Sequence, residues 1–206
     1  FLITNVTDLT IDGLGGNDSF TVLSTLPTLE KVNFIGGGDD DTLFGPDADT
    51  VWTITDENEG TTDIVTEFTF SEFENITGGA AEDYFVFTNN NARLTGSIDG
   101  VGSDDTLDYS ALSAGVTVNL GDGSISGIET LVGSAGSDTI IGADTPNTWN
   151  LTGPMAGNID GLSFSDFETL SGGNVSDTLA APDLANIWNV TGPDSGNLLG
   201  VAFLEM

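Results

Sequence analysis

The sequence predicts an all-β protein: a right-handed parallel β-solenoid, β-roll or β-helix in style, of about ten coils of about 20 residues each. Three observations predict it. A glycine turn ending on an aspartate recurs along the chain, a tryptophan motif recurs at a fixed offset, and every apolar run is short, β-branched or aromatic. No stretch carries a 3.6-residue period with helix caps.

The turn element is Gly13-Leu14-Gly15-Gly16-Asn17-Asp18-Ser19-Phe20 in its first copy. It returns as Gly36 to Leu43, Gly78 to Phe85, Gly100 to Leu107, Gly133 to Ile140 and Gly172 to Leu179. The anchor aspartates are Asp18, Asp41, Asp83, Asp105, Asp138 and Asp177, with spacings of 23, 42, 22, 33 and 39. Read as single and double steps, with Asp63-Ile64, Asp122, Asn158-Ile159 and Asn197-Leu198 as weaker anchors, they give nine steps. From 18 to 197 is 179 residues, or about 20 per step.

The second motif is Asn147-Thr148-Trp149-Asn150-Leu151-Thr152-Gly153-Pro154, which matches Asn186 to Pro193 at an offset of 39. An earlier copy carries Trp52. Each tryptophan lies 11 residues after an anchor aspartate. Between the turns, Val51 to Thr55, Tyr84 to Phe87 and Val116 to Leu120 read as strands. Units this small cannot enclose a core alone and must stack on their neighbours. Phe20, Leu43, Phe85, Leu107, Ile140 and Leu179, each two residues after an anchor, are expected to point inward. The chain starts at Phe1 and stops at Met206 inside a unit, so residues 1–206 read as a single solenoid segment of a longer repeat protein.

Charge bounds the partners. There are 33 acidic residues against Lys31 and Arg93, a formal net charge of −31. Phosphate-directed binding to nucleic acid needs clustered Lys and Arg and is excluded. Attraction to an anionic membrane fails for the same reason, and no apolar run is long enough to insert in one. With no cysteine and no histidine, thiol and imidazole chemistry are absent. The paired carboxylates are too common in so acidic a chain to mark an acid–base pair, so an enzyme is not expected here. Thr53-Ile54-Thr55 has no partners in register, which argues against an ice-binding array. The Asn-x-Ser/Thr triplets at Asn5, Asn75, Asn174 and Asn189 are expected by chance in this composition.

Cations remain the natural partners. Stacked carboxylates about 4.8 Å apart repel by about 3.5 kcal/mol at an effective dielectric of 20, and calcium accepts 6–8 oxygens at 2.3–2.6 Å. Gly13 to Thr21 and Gly36 to Phe44 resemble the nonapeptide G-G-x-G-x-D-x-U-x of RTX (haemolysin-type) calcium-binding repeat proteins. Asp105 to Leu120 is similar to a spacer of large bacterial surface proteins that carry such repeats. The resemblance implies a secreted or cell-surface β-roll that takes up calcium. By motif position it implies ligands at Asp18, Asp41, Asp83, Asp105, Asp138 and Asp177, with backbone carbonyls of the turn glycines completing the shell and Asp39 beside Asp41 in the densest acidic turn. Gly102-Ser103 and Ala80-Ala81 depart from the glycine pattern, and the nonapeptides here are isolated rather than in tandem.

The expected function is a structural or adhesive extracellular segment rigidified by calcium and able to self-associate through open solenoid ends, as in a filament or sheath. One alternative is the calcium-dependent stalk or secretion region of an exoenzyme or toxin. Another is a glycan-binding module using Trp52, Trp149 and Trp188, although these read more simply as one structural slot per unit. A cell-surface or polysaccharide partner fits either role.

Overall fold

Side-chain alternation fixes the strands. In Thr50–Asp56, Thr50, Trp52 and Ile54 are buried while Val51, Thr53 and Thr55 are half-buried, the period-two pattern of a strand with one face on a core. The computed structural model describes residues 8–23, 30–65 and 67–206; Phe1 and the Asn5 triplet lie outside them. Among the described residues there is no helix. The chain divides between Thr106 and Leu107 into two compact units.

The first unit holds β1 (Asp8–Asp12), β2 (Ser19–Thr21), β3 (Lys31–Ile35), β4 (Thr42–Phe44), β5 (Thr50–Asp56), β6 (Glu59–Thr62), β7 (Glu67–Ser71), β8 (Asn75–Thr77), β9 (Asp83–Phe87) and β10 (Ile98–Asp99). One sheet runs β1-β3-β7-β6-β5-β9 and a second β2-β4-β8-β10. Apolar residues stack in register between parallel strands: Ile11, Phe34 and Phe70 in the first sheet, and Phe20, Leu43, Ile76 and Ile98 in the second. Lys31 sits in register between Asp8 and Glu67, a cation flanked by two acids. Arg93 pairs with Glu57.

The division falls within β11 (Thr106–Asp108). The second unit holds β12 (Thr117–Asn119), β13 (Ile125–Ser126), β14 (Thr130–Val132), β15 (Thr139–Ile141), β16 (Thr148–Gly153), β17 (Ala156–Ile159), β18 (Leu162–Ser165), β19 (Thr169–Ser171), β20 (Thr178–Ala180), β21 (Asn189–Gly192), β22 (Ser195–Leu198) and β23 (Val201–Leu204). Its sheets run β14-β18-β17-β16-β20 and β12-β15-β19-β23-β22-β21. Val118, Ile140, Leu170 and Phe203 form one apolar ladder across β12, β15, β19 and β23.

Most pairings are parallel, as expected of stacked repeats. The antiparallel exceptions are three meanders that the even step of about 20 residues did not anticipate: β5-β6-β7, β16-β17-β18 and β21-β22-β23. Each begins at a tryptophan motif. Where only a turn separates stacked positions the offset is 22 or 23 residues; where a meander intervenes it is 30, 33 or 36. The proposed weak anchors Asn158-Ile159 and Asn197-Leu198 lie in β17 and β22, within hairpins. The hairpin turns that follow them, Asp160-Gly161 (φ 48° and 108°) and Leu199-Gly200 (φ 55° and 85°), have the positive φ at both central residues that a two-residue type I′ turn needs. Among the described residues no sheet closes on itself.

The meanders share one packing device. Phe70, Phe164 and Phe203 on the third strands meet Trp52, Trp149 and Trp188 on or just before the first, with centroids 6.1, 6.3 and 6.0 Å apart and planes at 66°, 70° and 70°. The middle strand supplies Gly60, Gly157 or Gly196 beneath the phenyl ring. A Cβ there would lie 2.6, 2.8 or 2.5 Å from that ring's Cζ, so only glycine leaves room. Of the six inward positions expected from the turns, Leu43, Phe85, Leu107 and Ile140 are buried, and Phe20 and Leu179 are half-buried.

Candidate functional site

Each turn begins at a glycine and ends five residues later at an aspartate, and the spacing has a steric cause. The carboxylate folds back over the glycine. A Cβ on Gly13, Gly36 or Gly133 would stand 2.7, 2.8 or 2.9 Å from Oδ2 of Asp18, Asp41 or Asp138, and closer still on Gly78 and Gly172. The aspartate side chain therefore turns toward the backbone and not outward to water. Asp41, Asp83, Asp105 and Asp138 are fully buried, and Asp18 and Asp177 half-buried.

There the carboxylates act as ties between successive repeats. In the first unit, Oδ1 of Asp41 accepts the Asp18 N–H at 2.7 Å, and Oδ1 of Asp105 accepts the Asp83 N–H at 2.7 Å. In the second, Oδ1 of Asp138 accepts the Val116 N–H at 2.6 Å, and Oδ1 of Asp177 accepts the Asn147 N–H at 2.7 Å. The second oxygen serves the residue's own turn: Asp83 Oδ2 accepts the Gly79 N–H and Asp138 Oδ2 the Ser134 N–H, each at 2.7 Å. Ser134 Oγ adds a bond to Asp138 Oδ1, also at 2.7 Å. Ionised acceptors make short, strong bonds of this kind, and these offset the cost of removing the charge from water. For Asp83 burial still dominates. It pushes the carboxyl above its ordinary range against the opposing bonds from Gly79, Trp52 and Thr50.

Two glutamates share this role. Glu74 Oε2 accepts the Asp41 N–H at 2.8 Å and Glu168 Oε2 the Asp138 N–H at 2.7 Å. Glu74 Oε1 is held by Asn58 Nδ2 at 2.8 Å, and Asn58 Oδ1 accepts the Thr95 N–H at 2.9 Å. Asn75 continues the pattern, its Oδ1 accepting the Ser97 N–H at 2.9 Å. The signal for the glutamates is in the sequence. Ser71-Glu72-Phe73-Glu74-Asn75-Ile76 and Ser165-Asp166-Phe167-Glu168-Thr169-Leu170 are copies, with Phe73 and Phe167 fully buried ahead of each tie.

Asp39 stands apart. It is exposed, its φ is 83°, and its Oδ2 accepts the Gly16 N–H at 3.2 Å. Asp40 beside it accepts from Asn75 Nδ2 at 2.8 Å.

The resemblance places a calcium ion at the anchor turns. The ion needs six to eight convergent oxygens. Asp41, Asp105, Asp138 and Asp177 each give one oxygen to a neighbouring repeat's backbone N–H, and among the described residues no three acidic side chains converge. Asp18 Oδ2, Asp41 Oδ2 and Asp177 Oδ2 are buried without a hydrogen bond. The two fully buried tryptophans, Trp52 and Trp149, offer no face to a ligand. Trp52 donates Nε1–H to Asp83 Oδ1 at 3.3 Å and stacks on Phe85, centroids 6.2 Å apart and planes 7° apart.

In comparison with known proteins, no family model, no curated protein and no solved structure matches this chain.

Proposed function

We propose that this chain is a structural segment of an extracellular or cell-surface repeat protein: a parallel β-solenoid scaffold that presents a densely anionic surface and holds its repeats together by buried carboxylate ties. The observation that supports it is the recurrence of one bond, carboxylate of one repeat to backbone N–H of the repeat before, at Asp41, Asp105, Asp138 and Asp177. Such bonds order a backbone without leaving a cleft. The surface role follows from the charge, which keeps so acidic a scaffold solvated and apart from other anions.

Calcium enters this reading as a counter-ion to the exposed acids, Asp39 and Asp40 among them, and not as a folding ligand. The test compares calcium, magnesium and sodium salts at matched ionic strength after chelator treatment. The expected far-UV circular dichroism is that of β-structure in chelator, with a melting temperature that rises alike with calcium and magnesium through screening. A chain that is unfolded in chelator and folds with calcium alone would overturn the metal-free scaffold and restore the anchor aspartates as ligands.

A further inference from the structure

The second meander holds three buried polar atoms that have no hydrogen-bond partner among the described residues: Trp149 Nε1, Asn147 Oδ1 and Asp177 Oδ2. Trp149 lies in β16 and Asn147 just before it, two residues apart and both buried on one face. Asp177 just precedes β20, which runs parallel on β16 with Leu179 opposite Trp149. Its Oδ1 accepts the Asn147 N–H at 2.7 Å. The three groups therefore meet at one turn. Two glycines mark the place from the other side. A Cβ on Gly142 would stand 2.4 Å from Asn147 Oδ1 and 3.1 Å from both Trp149 Cζ2 and the Gly172 carbonyl oxygen. A Cβ on Gly172 would stand 2.2 Å from Asp177 Oδ2.

The first meander has the same frame with nothing left over. Trp52 lies opposite Phe85, and a Cβ on Gly45 would stand 2.6 Å from Trp52 Cζ2, so the two indoles are placed alike. There the Nε1–H reaches the carboxylate directly, donating to Asp83 Oδ1 at 3.3 Å, while Asp83 Oδ2 takes the Gly79 N–H at 2.7 Å. The residue two before the tryptophan is Thr50, whose hydroxyl donates to the Ala48 carbonyl at 2.8 Å. In the second copy that residue is Asn147. Its Nδ2 donates to Asp160 Oδ2 at 3.2 Å, which fixes the amide and leaves Oδ1 turned inward. An amide oxygen cannot bond a carboxylate, because both only accept. One donor is thus left with two acceptors.

We propose that this turn binds one water molecule as a fixed part of the second meander. Water is the species whose bonding matches what is left: its oxygen accepts the Trp149 Nε1–H, and its two protons go to Asn147 Oδ1 and Asp177 Oδ2. Buried waters make about three bonds of this kind to groups otherwise unsatisfied. Each of the three atoms left bare would carry its full desolvation penalty, which the bridge removes. A metal ion in the same place would face the proton of the indole N–H, which offers no lone pair. The water joins β16 to the Asp177 turn where the first meander uses a direct bond from Trp52 to Asp83. The site lies within the second unit and depends neither on the surface role of the scaffold nor on calcium as a counter-ion.

The test is proton NMR of the whole chain in chelator, reading water contacts at the indole N–H resonances of Trp52, Trp149 and Trp188. NOESY and ROESY spectra separate a bound water, whose cross-peaks differ in sign from those of chemical exchange. Trp188→Phe assigns the exposed indole. A bound-water contact is expected at the Trp149 Nε1–H and none at Trp52. Asn147→Thr installs the residue of the first meander and removes one acceptor. It should abolish the Trp149 contact and leave the Trp52 resonance in place. A folded wild-type chain with no water contact at Trp149 overturns the inference and leaves the scaffold reading intact. So does a contact that persists in Asn147→Thr, or one that arises only when calcium is added. A chain with no β-structure by circular dichroism removes both readings. Should Asn147→Thr fail to fold, the wild-type spectra decide alone.

Discussion

Replacing Asp138 with alanine will lower the stability of the fold by about 3–5 kcal/mol. This carboxylate is fully buried and takes three donors: the Val116 N–H at 2.6 Å, the Ser134 N–H at 2.7 Å and Ser134 Oγ at 2.7 Å. Alanine leaves the two backbone N–H groups without an acceptor in a place water does not reach, and each such group costs about 1–3 kcal/mol. Removing a buried charge returns part of that, so the net loss is smaller than the sum. Asp138→Asn is the sharper variant. One amide oxygen replaces one carboxylate oxygen, but the amide N–H₂ then faces a donor, so it too destabilises, by about 2 kcal/mol. Asp104, also an aspartate but exposed, is the control: Asp104→Ala stays within about 0.5 kcal/mol of the parent. Urea denaturation of the three variants checks the order. If Asp138→Ala matches Asp104→Ala, the tie carries no weight.

Trp52→Ala will cost about 3–5 kcal/mol, and Trp188→Ala under about 1.5 kcal/mol. The two residues hold one position in one motif and differ only in what covers them. Trp52 is sandwiched between Phe85, stacked at 7°, and Phe70, met at 66°, and it gives its Nε1–H to Asp83. Its removal opens a large cavity and strips a donor from a buried carboxylate. Trp188 touches Phe203 at 6.0 Å and is otherwise 43% exposed. Thermal unfolding of the two variants measures the difference directly. Equal losses would mean that the cover from β9 contributes nothing to the slot.

Much of the fold is legible in the sequence because stacked repeats write their register into it. The 39-residue offset from Asn147 to Asn186 correctly pairs two meanders, and four of the six residues placed two after an anchor are buried. The even step of about 20 is where the reading departs. It divides the longer stacking offsets of 30–36 residues into two steps beside those of 22–23, because Asn158-Ile159 resembles a turn anchor while the following Asp160-Gly161 is a hairpin turn. An aspartate–glycine pair between Ile159 and Leu162 is the local signal that would have shown the meander.

The tie site is legible in position but not in direction. Gly-x4-Asp marks each turn, yet aspartate beside glycine reads equally well as a solvated turn, a cation ligand or an inward acceptor. What decides is the clearance over the glycine Cα, a three-dimensional fact with no periodic trace. Glu74 and Glu168 escape an aspartate-based motif altogether because they follow meanders and reach the same N–H column with a longer side chain.

Amide hydrogen exchange in chelator tests the ties most directly. The account predicts that the N–H groups of Val116, Asp138 and Asn147, which lie at turns and bond only to carboxylates, exchange as slowly as the sheet amide of Ile140. If those three exchange at the rate of an open turn until calcium is added, the carboxylates do not hold the repeats together and the account fails.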